Sequence, residues 1–267
     1  MALLSLSNIH KTFEKGTVNE NHVLRGLDLD IEQGDFISVI GGNGAGKSTL
    51  MNSIAGVVEI DEGDIVLDGN SIRKASVAAR SKDISRVFQD PRMGTATNLT
   101  IEENMAIAYR RGKKRSFFKK SVTEAERQLF KEKLAELGLG LENRMKTDAA
   151  FLSGGQRQAL TLAMATLVRP KILLLDEHTA ALDPKTSDMV MQLTKKVVEE
   201  QELTTLMITH NMEHAIEYGN RLVMLYHGKI VVDVRGEEKK NLTVAQLMDL
   251  FHKNSGQVLN DDALVLG

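Results

Sequence analysis

Cysteine and tryptophan are absent from this chain of 267 residues, and neither acidic nor basic residues predominate. Without cysteine there are no disulfides, no thiolate catalysis and no cysteine-ligated metals, which fits a reducing compartment. The formal net charge is -2, so the whole chain lacks the basic footprint of a nucleic-acid-binding protein and nucleic acid is not an expected partner. No apolar stretch approaches the ~18 residues that a membrane span needs.

The length and composition are those of an ordinary globular protein. A chain of 267 residues can form one large domain or two small ones and can bury a substantial core. The N-terminal residues 1–6 are apolar but have neither a basic leader nor a cleavage pattern. We therefore expect a soluble, intracellular protein whose membrane role, if any, comes through a partner.

Strand-like and helix-like segments alternate along the chain. The pattern predicts strands at 3–10, 27–31, 36–40, 64–69, 84–88, 172–175, 204–208 and 221–234. It predicts helices at 47–55, 158–167 and 244–252, and a helical block over 101–139. This alternation predicts an α/β core whose parallel sheet is covered by helices.

A glycine-rich segment has the pattern of a phosphate-binding loop, G-x-x-x-x-G-K-[ST]. Its residues are Gly41, Gly42, Asn43, Gly44, Ala45, Gly46, Lys47 and Ser48. The glycines let backbone N–H groups surround the phosphates, and the following helix adds its positive N-terminal end. We expect Lys47 to contact the β- and γ-phosphates and the Ser48 hydroxyl to ligate Mg²⁺. The alternative is a glycine-rich turn with Lys and Ser present by chance, which the strand–loop–helix setting disfavours.

A second segment supplies the acidic groups that a triphosphate site needs. The apolar run 172–175 ends in Asp176 and Glu177. A buried strand that ends in Asp places a carboxylate at the edge of the sheet, where it can hold Mg²⁺ through water. Glu177 projects differently and can polarise the attacking water as a general base, a role that contributes ~10²–10⁴-fold in rate. Taken alone, two such acids are more typical of an ordinary strand-to-loop boundary with solvated carboxylates, and the glycine-rich loop is what favours the metal and catalytic roles.

The most specific motif follows far downstream of the glycine-rich loop. It reads Leu152-Ser153-Gly154-Gly155-Gln156. A Ser and two glycines at the start of a helix form a second anion-binding segment, although such a turn is also a common helix cap. The order of these motifs resembles the ATP-binding cassette (ABC) family of ATPases over roughly residues 3–251. In that family two copies meet head to tail, and each offers this segment to the ATP of the other.

The resemblance implies roles for the remaining candidate residues. It implies that Phe13 stacks on adenine, that Gln89 and His210 act at the γ-phosphate and its attacking water, and that Asp183 links the two sites of the dimer. The catalytic residues are then Glu177, His210 and Gln89, and the Mg²⁺ ligands are Ser48, Gln89 and Asp176. The ATP-binding residues are Phe13, Gly41, Gly42, Asn43, Gly44, Ala45, Gly46, Lys47, Ser48, Thr49, Ser153, Gly154, Gly155, Gln156 and Asp183.

The resemblance also implies the organisation of the fold. It is an α/β P-loop NTPase core with a mostly parallel sheet flanked by helices, an antiparallel β part at the N-terminus and an inserted helical subdomain. We expect one ABC ATPase domain over residues 1–253, with its core at 1–90 and 151–240, the helical subdomain at about 91–150, and a tail at 254–267.

Two positions depart from the family pattern. His178 follows the expected catalytic glutamate where the family usually has Pro, which predicts a locally different loop and not a second catalytic histidine. An H178P variant is expected to keep ATP turnover within several-fold. Met164 lies where many members have Arg, so a helix-to-phosphate contact at that position is not carried over.

The resemblance implies an ATP-hydrolysing subunit of a multi-subunit ABC transporter, most similar to a poorly characterised group of bacterial importers. Its cofactors would be ATP and Mg²⁺. Its partners would be a second copy of itself, an integral membrane permease and, through the permease, an extracytoplasmic substrate-binding protein. It would lie in the cytoplasm, peripherally on the inner face of the membrane, and drive import of amino acids or another small solute. The permease is expected to contact residues 90–95 and 99–103.

Two other classes remain open on the sequence. One is a soluble ABC ATPase that drives assembly or remodelling of a protein complex, and the other is a regulatory cassette that does not hydrolyse ATP. A basic run between Arg110 and Lys120 contains Phe117 and Phe118. It could face anionic lipid headgroups or nucleic acid, or be a solvated loop whose two aromatics pack onto the helical subdomain.

Overall fold

The structure, a computed structural model, describes residues 2–113 and 122–255. Within them the strands are β1 (Leu4–Phe13), β2 (Asn21–Ile31), β3 (Phe36–Ile40), β4 (Glu62–Leu67), β5 (Asn70–Ser71), β6 (Ile84–Val87), β7 (Ile172–Asp176), β8 (Thr205–Ile208), β9 (Arg221–Tyr226) and β10 (Lys229–Arg235). The α-helices are α1 (Lys47–Ala55), α2 (Val77–Arg80), α3 (Ile101–Tyr109), α4 (Glu124–Ala135), α5 (Gly154–Thr166), α6 (Pro184–Glu200), α7 (Met212–Glu217), α8 (Gly236–Lys240) and α9 (Val244–Ser255). Short 3₁₀ helices lie at Leu141–Asn143 and Ala149–Phe151.

The chain divides into two compact units. Among the described residues, the first comprises 2–80 and 203–255, and the second comprises 81–113 and 122–202. The boundaries near residues 91 and 150 that the sequence suggests for a helical subdomain stay a prediction. None of the helices in the described ranges is both long enough and apolar enough to cross a membrane.

An antiparallel sheet occupies the N-terminal part of the first unit, in the order β2-β1-β4-β5, which confirms the predicted antiparallel part. β2 begins at Asn21 rather than at residue 27, because its first half pairs with β1 across register shifts near Ile9 and Lys11. Such shifts interrupt the alternation of apolar and polar residues on which the prediction rests.

The first unit also contains four strands in the order β10-β9-β3-β8. β3 is buried along its whole length and pairs in parallel with β8 and with β9. The bounds of β3 and of α1 are those predicted from the sequence. Because β3 and β8 run in parallel, with Val39 opposite Ile208, the segments that follow both strands emerge at the same edge of the sheet.

The predicted single strand over 221–234 is instead a hairpin of β9 and β10. His227 and Gly228 form its two-residue turn with φ angles of 46° and 77°. Positive φ at both central positions is typical of the tight turns that join antiparallel strands. A cluster of buried apolar side chains packs this hairpin against α7 and α9, with Phe251 fully buried.

The second unit contains the parallel pair β6 and β7, in register from Ile84 opposite Ile172 to Val87 opposite Leu175. Helix α5 packs against β6 and against α3 and α6. The helical block predicted over 101–139 is two helices, α3 and α4. Each begins with a capping box, Thr100 with Glu103 and Thr123 with Glu126, and each box satisfies backbone N–H groups at the helix start.

Candidate functional site

The glycine-rich loop connects β3 to α1 within the first unit. Gly41, Gly44 and Gly46 have φ angles of 149°, 74° and 106°, which residues with a Cβ rarely adopt. A Cβ on Gly41 would also collide with the carbonyl oxygen of Leu225 in β9. The loop therefore depends on glycine both for its backbone conformation and for close packing against the hairpin. The hairpin turn adds a hydrogen bond from the N–H of Gly228 to the carbonyl of Ala45, at 3.0 Å.

Lys47 lies at the first position of α1 and is 6% exposed. Its Nζ donates hydrogen bonds to the carbonyl oxygens of Gly41 at 2.6 Å and Gly42 at 3.1 Å. The ammonium group is thus held over the loop by the loop's own backbone. Ser48, the next residue, is exposed, and its hydroxyl lies in the first turn of the helix, where the helix dipole favours anions.

The segment after β8 emerges at the same sheet edge as the glycine-rich loop. A hydrogen bond of 3.2 Å joins the N–H of Thr209 to the carbonyl of Val39, and the exposed His210 follows directly. Phe13 ends β1 with 37% of its surface exposed. The Nζ of Lys11 lies 5.4 Å from the Phe13 ring centroid. The first unit therefore contains the predicted residues Phe13, 41–49 and His210.

In the second unit, Gln89 and the two candidate acids follow the carboxyl ends of paired strands. Gln89 follows β6 and is exposed, whereas Asp176 ends β7 and is partly buried together with Glu177. Since β6 and β7 are parallel and in register at their ends, the three side chains lie at one edge of this strand pair. The structure thus places Gln89 on the same edge as Asp176 and Glu177.

Asp176 forms an ion pair with Arg86 of β6. The guanidinium carbon of Arg86 also lies 4.8 Å from the ring centroid of Phe88. Both partners of the ion pair are mostly shielded from solvent, with 14% and 15% of their side chains exposed, so the charge of one compensates the burial of the other. The sequence does not identify Arg86 as a site residue, because β6 also contains the polar Ser85 and a polar residue in a short strand does not by itself indicate an ion pair.

Ser153 caps α5 in the second unit. Its hydroxyl accepts a hydrogen bond from the N–H of Gln156 at 3.3 Å, and the Gln156 side chain accepts one from the N–H of Ser153 at 3.2 Å. This reciprocal pair is a capping box, which fixes the direction of the first turn of the helix. The first turn of α5 is thus a preformed helix N-terminus, suited to an anion.

The two glycines of this motif pack against residues 182–186, here called the Asp183 segment. A Cβ on Gly155 would lie 2.3 Å from Thr186 Cγ2, and one on Gly154 would lie 3.2 Å from Leu182 Cδ2. Asp183 caps α6 by accepting a hydrogen bond of 3.1 Å from the N–H of Thr186. Hydrogen bonds from the side chain and backbone of Thr186 hold the pKa of Asp183 below its usual value. The structure therefore brings Gly154, Gly155 and the Asp183 segment together.

Comparison with known proteins agrees with these features. The family described as ABC transporter matches residues 24–180, more than half of the chain. The chain belongs to the ABC transporter family. It is 45% identical over 250 residues to the tyrosine transport ATP-binding protein of Clostridioides difficile (strain R20291), covering 93% of this chain and 98% of that protein. It is 33% identical to the methionine import ATP-binding protein MetN of Clostridium tetani (strain Massachusetts / E88), covering 96% and 73%.

Solved structures of ATP-binding cassettes share the fold. A dimeric post-hydrolysis state of the cassette MJ0796, bound to ADP and phosphate, matches with a TM-score of 0.73 and 30% identity, covering 87% of this chain and 98% of that one. The ADP conformation of the cassette MJ1267 matches with a TM-score of 0.74 and 28% identity, covering 94% and 98%. As an ABC transporter ATP-binding protein, the chain binds ATP and hydrolyses it.

Proposed function

We propose that the chain is the ATP-hydrolysing subunit of an importer, in which closure of an ATP-bound dimer drives transport through a separate permease. The observation that carries this proposal is the preformed first turn of α5, where Ser153 and Gln156 form a capping box beside Gly155 and the Asp183 segment. Such a helix start is an anion-binding site. Similarity over 93% of the chain to a tyrosine transport ATP-binding protein supports the transport role.

We assign the steps of hydrolysis to individual residues. Lys47 and the backbone N–H groups of residues 41–49 bind the phosphates, and Phe13 presents its half-exposed ring to adenine. Glu177 acts as the general base on the attacking water, and Gln89 and His210 orient that water. The hydrogen-bonding capacity of these side chains suits these roles.

The side chains expected to hold Mg²⁺ carry donor atoms that suit this cation. The Ser48 hydroxyl, the Asp176 carboxylate and the Gln89 amide oxygen are hard oxygen ligands, and this cation is commonly held by one or two protein groups together with substrate phosphates. Bound Mg²⁺ would neutralise charge on the β- and γ-phosphates. Asp176 is already paired with Arg86, so Mg²⁺ would compete with the Arg86 guanidinium for this carboxylate.

The partners in this proposal are a second copy of the chain, a membrane permease and a substrate-binding protein that reaches the cassette only through the permease. In this arrangement the chain lies peripherally on the inner face of the membrane.

Met93, in the segment expected to meet the permease, is 70% exposed. Glu102, in the second half of that surface, is instead buried, and its carboxylate accepts two hydrogen bonds of 3.1 Å from Arg127. The basic run Arg110–Lys120 lies largely outside the described residues, because residues 114–121 are not described.

We propose an amino acid as the cargo, with an aromatic one as the first candidate, because the 45% identical relative is named for tyrosine transport. Relatives named for phosphonate and methionine import are 33% identical and define the competing cargos.

Uptake by a reconstituted complex tests the proposal. A tagged chain would be purified from detergent-extracted membranes, its co-purifying permease identified, and the complex placed in proteoliposomes with Mg-ATP on the side of the cassette. We expect ATP-dependent accumulation of labelled tyrosine that an E177Q complex lacks. Accumulation of methionine or a phosphonate in place of tyrosine would show that the complex transports that solute and not tyrosine. Recovery of the chain only in a soluble complex, with no permease, would contradict the transport role and favour assembly or remodelling.

A further inference from the structure

His178, the residue after Glu177, is hydrogen-bonded to Thr194 of helix α6, and this contact affects the conformation of Glu177. We propose that His178 is a positioning residue, which holds Glu177 in its working conformation through a buried hydrogen bond to Thr194. This inference rests on the proposed role of Glu177 as the general base.

Glu177 has a backbone conformation that needs support from its surroundings. Its φ angle is 47°, in the left-handed region that residues with a Cβ rarely occupy. A residue in such a conformation persists only where neighbouring contacts fix it, and such residues cluster at functional sites. A hydrogen bond of 2.9 Å from the N–H of Ala180 to the carbonyl of Glu177 closes a turn on one side. Residue 178 is covalently joined to Glu177, so whatever fixes residue 178 also restricts the backbone of Glu177.

His178 is fixed inside the second unit, with only 2% of its surface exposed. Its Nε2 lies 2.9 Å from Oγ1 of Thr194, a residue that is fully buried in α6. The Thr194 hydroxyl donates its single hydrogen to the carbonyl of Val190 at 2.8 Å. Since a hydroxyl has one hydrogen to give, Nε2 of His178 carries a proton and donates it to Thr194. This hydrogen bond fixes both the tautomer and the orientation of the ring.

The element that receives this hydrogen bond is a rigid support. Helix α6 has 17 residues, and Asp183 and Pro184 define its start. Its buried face includes Val190, Met191 and Val197. The segment 178–183 is thus attached to one helix at both ends, by the His178 ring at Thr194 and by the Asp183 cap. A displacement of His178 would be passed directly to the neighbouring Glu177.

The alternative is that His178 only fills the core. A core-filling residue contributes to stability, but its loss would not selectively slow the chemical step. A positioning residue predicts a different pattern, because misplacement of a catalytic group by about 1 Å can cost on the order of a hundredfold in rate. A loss of the positioning role therefore lowers kcat more than it changes KM or thermal stability, whereas a loss of core filling lowers thermal stability and leaves kcat unchanged.

Substitutions at Thr194 provide the sharpest test, since they leave His178 and Glu177 in place. T194S keeps the hydroxyl, whereas T194V has nearly the same shape and leaves the N–H of His178 without an acceptor. We expect T194V to lower kcat for ATP by about tenfold or more, with the KM for ATP within about threefold of wild type and the protein still folded at the assay temperature. T194S is expected to stay within about threefold in kcat.

Substitutions at His178 complete a double-mutant cycle. H178Q places an amide donor near the position of Nε2 and is expected to restore most of the kcat that H178A loses. H178A combined with T194V should be no slower than H178A alone, because both changes remove the same interaction. Losses of kcat that multiply in the double variant would overturn the proposal, as would a T194V enzyme with a lower melting temperature and unchanged kcat.

The E177Q variant separates this inference from the proposed function. Turnover by E177Q at the rate of the wild type would refute the role of Glu177 itself, whatever the Thr194 variants do. Loss of turnover in E177Q together with normal kcat in T194V would refute only the role of His178.

Discussion

Gly155 has no room for a side chain, and this gives a prediction whose size follows from the structure. In G155A the new Cβ would lie 2.3 Å from Cγ2 of Thr186, more than 1 Å inside the ~3.5–4.0 Å at which carbon atoms attract one another. Thr186 is β-branched and near the start of α6, so its methyl group has few alternative positions. Either α5 or α6 must shift to accept the change.

The expected cost is the difference between two effects. Overpacking of this kind costs about 1–3 kcal/mol. Replacing Gly by Ala in a helix gains at most ~1 kcal/mol in a helix interior and less in the first turn, where Gly155 lies. The clash therefore prevails, and we expect a net loss of about 1 kcal/mol in the free energy of unfolding. For a chain of this size, such a loss lowers the melting temperature by about 2–4 °C.

T186S supplies the matched control, because it removes the methyl group that G155A meets and keeps the hydroxyl beside Asp183. Melting followed by far-UV circular dichroism suits a chain without tryptophan. G155A should destabilise the protein that has Thr186 and should be neutral or slightly stabilising in the T186S background. An equal fall in melting temperature in both backgrounds would show that the close approach of Gly155 to Thr186 does not determine the packing of α5 on α6.

Three further predictions concern other residues. R86M removes the guanidinium that competes with Mg²⁺ for the Asp176 carboxylate, so Mg-ADP should raise the melting temperature of R86M more than that of wild type. Equal shifts would show that this ion pair does not limit Mg²⁺ binding. Burial lowers the pKa of Lys239 from 10.5 to about 8. Between these two pH values Lys239 is protonated in the unfolded chain and neutral in the folded chain, so the free energy of unfolding rises with pH. The rise is at most about 1.4 kcal/mol per pH unit. Urea unfolding should show the stability advantage of wild type over K239M increasing from pH 8 to 10, and a constant difference would contradict it. H178P should keep steady-state ATPase activity within several-fold, because proline restricts the backbone by itself; complete loss of turnover would contradict this.

Much of the fold followed from local patterns in the sequence. The bounds of β3 and α1 were predicted correctly because an apolar strand, a glycine-rich loop and a helix succeed one another without interruption. The first half of β2 was missed because its pairing contains bulges, and the turn between β9 and β10 was missed because His227 and Gly228 interrupt an apolar run only briefly.

The candidate site also has a part that could be predicted from the sequence and a part that could not. Its motif residues could be named from spacing alone, since phosphate binding requires fixed residue types at fixed separations. The Arg86–Asp176 ion pair and the His178–Thr194 hydrogen bond could not be identified, because each joins residues from separate elements whose contact depends on tertiary packing. The exclusion of a side chain at Gly155 is likewise a property of the α5–α6 contact and not of the motif.

Light scattering coupled to size-exclusion chromatography tests the central claim most directly, namely that ATP is enclosed between two copies of the chain. E177Q is expected to bind ATP without hydrolysing it and therefore to elute as a dimer in Mg-ATP and as a monomer without nucleotide. E177Q combined with K47A, which removes the phosphate-binding lysine, should remain a monomer in both conditions. A monomeric E177Q protein in saturating Mg-ATP, with ATP binding confirmed, would contradict the account.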